Sequence, residues 1–491
     1  MYRHTLQVAV GLTLFALAVV VSPASAAKPE CKAINQTTNV AYSSNAYADP
    51  LGRAIADAGS GNTIKVMGTC YGNFVITKDL TLIGRRSKGH EDVINGGGSG
   101  DVLYGQGNLT IIDLTITGGE TGVRLDGGSL LLKRVKVTGN AGPGVGYGYV
   151  ADKTIDDSVV SDNHGGGIVG GFFGSITVKN STVRGNTTAG SGGGILGVRS
   201  MVTVSNSVIA DNAAAVDGGG ISTDYYDLTI SGSLIEGNTA EGVGGAIAAR
   251  GYSVGVELTA STIRDNTAIN GGGIFYDGFW GLSVTGSVVT HNTATAAGGA
   301  AYLADNEHSL VSSFTSSTVS DNTADSGGGI FNSGGAVTLT NSVVTENSAG
   351  FSSGGIENNN YFDEVGTLTL INSTVSNNDA NFKWGGIANF GVATITDSTV
   401  SGNTAARGGG GITNWDTLVL IDSLVAGNLG DMGGGILNVG NAALTDTTVT
   451  RNTASITGGG IFNAEGFGTL ALNGTSTVSG NAPNDIVTGP F

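Results

Sequence analysis

Apolar residues fall in short strings along this chain, and within a string they take every second position. Val337-Thr338-Leu339, Leu368-Thr369-Leu370 and Leu418-Val419-Leu420 alternate in, out, in, the period of two that marks a strand with one buried face. The strings recur in a fixed frame. An Asn closes each block at Asn140, Asn163, Asn186, Asn212, Asn238, Asn266, Asn292, Asn322, Asn347, Asn378, Asn403, Asn428, Asn452 and Asn481. Their spacings run from 23 to 31 residues, within the range of stacked repeats. Three positions before each of the 14 stands Val or Ile, from Val137 to Val478. A surface column would not hold β-branched residues every time, so this one must line a continuous interior.

A glycine block follows most of these Asn, as GGGI at 192–195, 218–221, 271–274, 327–330, 433–436 and 458–461 and as GGAI at 244–247. The Ile opens a further inward-facing strand, and the glycines let the chain bend where a Cβ would clash. Each repeat thus predicts three short strands and no helix. One repeat cannot enclose a core, but coils stacked so that each strand pairs with its equivalent above and below can. The fold class expected is all-β, a parallel β-helix with three short strands per coil. The Asn column reads as a structural ladder, with Asn322, Asn347, Asn378, Asn403, Asn428 and Asn452 at its heart. A second column runs through Asn332, Asn358, Asn389, Asn414, Asn438 and Asn463. Residues 27–62 lack the repeat; Asp49-Pro50 and the spacing of 51–58 predict a short capping helix. The repeats occupy 63–481, with strands at 63–66, 74–76 and 80–83 opening the series, and 482–491 is a tail.

Composition and charge narrow the class. Gly fills 85 positions and Pro only 6, while 40% of residues are hydrophobic and 12% charged; collagen and disorder are both excluded. Residues 1–26 predict a secretion signal: Arg3 and His4, an apolar run over 6–21 and the small cleavage site Ala24-Ser25-Ala26. No later stretch is apolar enough to span a membrane, so the mature chain is expected to be exported, extracellular or at the cell surface. The cysteines, Cys31 and Cys70, are an even pair that predicts one disulfide. A net charge of −17 repels phosphate backbones and argues against a nucleic-acid partner.

The repeats resemble the right-handed parallel β-helix proteins of the pectin-lyase-like superfamily, and the GGGI and GGAI blocks resemble those of polymorphic outer-membrane proteins. The resemblance implies right-handed coils and a choice among adhesin-like binding, polysaccharide lyase or glycoside hydrolase activity, and a purely structural envelope role. Hydrolase relatives carry an Asp-Asp pair, a Gly-His-Gly and an Arg-x-Lys; here Asp156, Asp157, Asp162 and His164 form only a fragment of that pattern. The column just before the Asn ladder alternates acids with Gly. In it Asp321 and Glu346 fall on consecutive coils, where repulsion favours a bound cation or a shared proton, and Ca²⁺ is the one cofactor left open. The bland reading of both is a solvated turn. Aromatics near the glycine blocks, Tyr225, Tyr226, Phe275, Tyr276, Phe279, Trp280, Tyr361, Trp384 and Trp415, either pack against the rod or stack on sugar rings. Binding of a surface, glycan or partner protein through loops on one side is the function expected first; monomer and homotrimer are both left open.

Overall fold

The computed structural model describes residues 30–491 apart from 87–90, 150, 252 and 305–310; the signal expected at 1–26 lies outside these. The chain is a parallel β-solenoid. Five-residue strands such as Ser175–Lys179 form one face, here termed the long face, and three-residue strands such as Thr182–Arg184 the adjoining short face. The glycine blocks lead into a third, the glycine face, exemplified by Ile195–Val198. Pairing is parallel throughout the coils, and on the short face it keeps register: Val137 stands on Val160, Val160 on Val183, and Val183 on Ile209.

Three strands per coil describe the first coils; from Thr187–Thr188 onward a fourth ladder, the flank, runs to Thr453–Thr457. These are the residues directly after each ladder Asn. The left-handed turn lies one residue before the Asn and not at the Asn itself. That residue takes a left-handed φ at Asp162, Asp211, Asp265, His291, Asp321 and Glu346 and at the Gly members of the same column. The backbone then runs extended and pairs with the next coil. The alternation of Asp and Gly before the Asn ladder is therefore a demand for left-handed backbone.

The interior is aliphatic. The Val and Ile three before each Asn are buried in every coil but the last, where Val478 is half-buried, and Ile195, Ile221, Ile274, Ile330 and Ile436 are fully buried on the glycine face. Gly271 shows why the block begins with glycine. Its φ is +60°, and a Cβ would stand 2.3 Å from the Ile274 carbonyl oxygen. At Gly272 a Cβ would meet the Thr293 carbonyl of the next coil at 2.5 Å.

The ends differ from expectation in two places. Residues before the helix form a hairpin, Cys31–Asn35 with Val40–Ser43, and its first strand pairs antiparallel with the long opening strand Asn62–Tyr71. Cys31 and Cys70 are disulfide-bonded across that pair. The helix is Pro50–Asp57, with Asp49 Oδ1 accepting from the Gly52 N–H at 2.8 Å, and its Leu51, Ala54 and Ile55 join the core. At the other end the expected tail continues the stack: Ile486–Gly489 pairs with Ile461–Ala464 on the glycine face. Among the described residues no helix is long and apolar enough to cross a membrane.

Candidate functional site

The turn from the glycine face to the long face lies outside both ladders, so it can lengthen without disturbing the register of either. Among the described residues, aromatics gather on it in four of six consecutive coils: Tyr147 and Tyr149 precede the strand Asp152–Asp156, Phe172 and Phe173 precede Ser175–Lys179, Tyr225 and Tyr226 precede Leu228–Ser231, and Phe279 and Trp280 precede Leu282–Thr285. The first rings are linked. Phe172 lies 6.3 Å from Tyr147, 6.0 Å from Tyr149 and 6.5 Å from Phe173 between ring centres. Arg199, on the next coil, spans the gap onward, its guanidinium 5.4 Å from the Phe172 ring and 5.0 Å from that of Tyr225. The edge is uncovered: Tyr149 is 64%, Phe173 59% and Trp280 72% exposed. Farther along, Tyr361 and Phe362 make an edge-on pair at 4.6 Å on the same turn.

An open groove of about 600 Å³ is set into this edge beside Trp280. Asp227, Thr229, Gly255, Glu257 and Ser283 contribute to its wall. The ladder places Glu257 between Thr229 and Ser283 on neighbouring coils. The Gly255 N–H donates to Asp227 Oδ1 at 2.9 Å and fixes that carboxylate. A Cβ on Gly255 would stand 3.1 Å from Asp227 Oδ1 and 3.2 Å from the Trp280 Cβ, so both side chains are rooted against one glycine. An exposed indole, two carboxylates and the hydroxyls of Thr229, Ser253 and Ser283 in one concave surface form an arrangement able to stack on a flat ring and bond its substituents.

The other expected aromatics lie elsewhere. Tyr276, two residues after the inward Ile274, also points inward by strand alternation; it is buried, its hydroxyl donates to the Val254 carbonyl at 2.9 Å, and burial pushes the phenol pKa up. Phe275 points outward but packs, stacked at 5.3 Å on Tyr302, which stacks at 5.0 Å on Phe331, with Arg250 over Phe275 at 4.7 Å. Trp384 and Trp415 meet at 6.3 Å in a cluster with Phe390 near the C-terminal end. Sequence alone gave no signal for Glu357, which continues the Phe331 column. It is buried, accepts from Ser352 Oγ at 2.6 Å and Asn359 Nδ2 at 2.9 Å, and burial raises its carboxyl pKa.

The acidic candidates are not gathered into one site. Asp156 and Asp157 stand at one end of the strand Val159–Ser161, and Asp162 and His164 follow the other. Asp156 pairs with Lys179 at 3.6 Å, and His164 Nδ1 lies 3.4 Å from the Asn140 carbonyl. Asp321 and Glu346 do stack on consecutive coils, but among the described residues no group of three or more His, Cys, Asp or Glu is gathered that could hold a metal ion. Asp157 instead lines a second groove of about 630 Å³ on the first coils, with Arg85, Asp92, Asp113, Arg134 and Lys136. There Arg85 Nη2 donates to Asp92 Oδ1 at 2.6 Å and Arg134 Nε to Asp113 Oδ1 at 2.7 Å. Burial opposes ionisation of Asp92, yet the Arg85 guanidinium and the backbone N–H groups of Gly68 and Arg85 outweigh it and hold the carboxyl below its usual range.

Comparison with known proteins bears on the fold. A family model described as a right handed beta helix region matches residues 99–257, in agreement with the handedness that the resemblance implies. Among solved structures, the periplasmic alginate epimerase AlgG aligns over 86% of this chain and 87% of its own, at 10% identity and a TM-score of 0.29. No curated protein matches the chain.

Proposed function

We propose that this chain is an exported rod that binds a polysaccharide lengthwise along its aromatic edge, with the Trp280 groove as the principal subsite. The observation that supports the reading is the set of exposed rings, Tyr147, Tyr149, Phe173, Tyr225 and Trp280, on one turn in four of six consecutive coils. Coils repeat about every 4.8 Å along a ladder, so rings one or two coils apart on this turn offer a row of stacking platforms to an extended polymer. Export rests on the apolar run at 6–21 and on the Cys31–Cys70 disulfide, a bond that persists in oxidising compartments. The hairpin and the Pro50–Asp57 helix act as the cap of the first coil, covering an edge that would otherwise invite aggregation.

Affinity electrophoresis and a glycan array on the full chain test the reading. A polysaccharide is retained by the parent, Trp280→Ala weakens retention by about tenfold or more, and Trp384→Ala leaves it unchanged. Absence of affinity for every glycan defeats the proposal and favours a structural envelope role. The charged groove at Asp157 and Lys136 gives a second reading, polysaccharide lyase or hydrolase activity, its support being that acids and bases line one concavity. Release of reducing ends or unsaturated uronates, lost in Asp157→Asn or Lys136→Ala, marks that outcome.

A further inference from the structure

The polymer class can be taken a step further, on the premise that the aromatic edge binds a glycan. Every charged side chain lining the Trp280 groove is a carboxylate, Asp227 and Glu257. Asp227 is held in place by the Gly255 N–H. Glu257 is exposed and has no partner among the described residues. The guanidiniums nearest this edge are already committed: Arg199 lies over Phe172 and Tyr225, and Arg250 over Phe275 with Nη1 donating to Asp217 Oδ2 at 2.9 Å. The wider field agrees. Residues 137–491 carry 29 Asp and Glu against 9 Lys and Arg, whereas residues 30–136 carry 10 against 11. A polyuronate laid along this edge would meet like charge at the groove and beyond it.

We infer that the groove takes a glycan bearing free amino groups, a glucosamine-type polymer, with a sugar ring stacked on Trp280 and its ammonium between Asp227 and Glu257. The indole supplies a flat apolar face, the carboxylates accept charge-assisted hydrogen bonds from the ammonium, and Thr229 and Ser283 flank Glu257 with hydroxyls for the ring substituents. An acetylated amine keeps one N–H donor but carries no charge, so it forgoes the charge assistance that the two carboxylates give an ammonium.

Calorimetric titration of the full chain with three oligomers of equal length separates the outcomes: β-1,4-linked glucosamine, its N-acetylated counterpart and oligogalacturonate. The glucosamine oligomer binds about tenfold or more tightly than the acetylated one at low salt, and the preference shrinks as salt screens the ammonium–carboxylate pairs. Asp227→Asn with Glu257→Gln abolishes the preference between the two glucosamine forms, whereas Trp280→Ala weakens both and keeps it. Equal affinity for the two glucosamine forms, or tighter binding of the uronate, overturns this inference and leaves glycan binding standing. Failure of all three oligomers, together with an empty glycan array, removes both.

Discussion

Lys153 stands in a column of aliphatic side chains, with Leu130 before it and Ile176 after it on the adjoining coils. It is 1% exposed, and its amine has no hydrogen-bond partner among the described residues. Burial pushes the pKa down to about 8 from its ordinary 10.5, Asp152 and Asp126 only partly opposing the shift. Below pH 8 the folded rod therefore holds a desolvated ammonium, at a cost of about 3 kcal/mol for a displacement of this size. Between about pH 8 and 10.5 the unfolded chain still binds the proton that the folded chain has released, so stability rises with pH across that window. Lys153→Met removes both the cost and the slope. Its urea midpoint at pH 7 is expected above the parent's by an amount equivalent to about 3 kcal/mol, with the gap closing toward pH 10.5. A variant less stable than the parent at pH 7 would show that the amine has a partner worth more than its desolvation.

At the scale of the element, the Asn column is a chain of amide–amide bonds. Thirteen successive Nδ2-to-Oδ1 contacts of 2.8–3.0 Å join Asn140 to Asn481. Each Oδ1 also accepts from the backbone N–H of the preceding coil's Asn, as Asn347 does from Asn322 at 3.0 Å. The series stops at Asp485, whose Oδ1 accepts from both Asn481 N and Nδ2 in place of a further Asn. A carboxylate suits this end because nothing beyond it needs a donor. Asn347→Asp keeps the acceptor for Asn322 but sets a carboxylate against Asn378 Oδ1. The expected loss exceeds about 3 kcal/mol, whereas Asp485→Asn costs less than about 1 kcal/mol; paired urea titrations compare them.

This column and the Val and Ile column were legible because buried positions tolerate few residue types and so repeat without exception. A second ladder was not. Ser158, Ser181, Ser207 and Ser233 each accept the N–H of the preceding coil's residue through Oγ, the last three from the Ser below at 3.0–3.1 Å, but Ser is so common in turns that its recurrence five before the Asn carries little signal. The N-terminal hairpin has no repeat to betray it. At the site, exposure decides function and follows no period: Trp280 and Trp384 look alike in sequence, and only folding puts one on the open edge and the other in a cluster.

For the whole molecule, each coil touches its neighbours alone, so stability is a sum of coils and the contacts between them. Removing one complete turn should then preserve the architecture. Leu429 sits in register on Thr453, and deleting residues 429–452 joins Asn428 to Thr453 with every column intact: Val425 gains Val478 in place of Val449, and Asn428 gains Asn481 in place of Asn452. Deleting only 429–440 takes away the flank and glycine-face strands but leaves Asn441–Thr445 and Thr448–Thr450, so every later strand enters the wrong ladder and its inward residues lose their partners. The full-turn deletion is expected to keep a β-sheet circular dichroism spectrum and cooperative unfolding at a modestly lower midpoint. The half-turn deletion is expected to lose cooperativity and expose apolar surface to a hydrophobic dye. Equal behaviour of the two chains would mean that register along the columns does not hold this rod together.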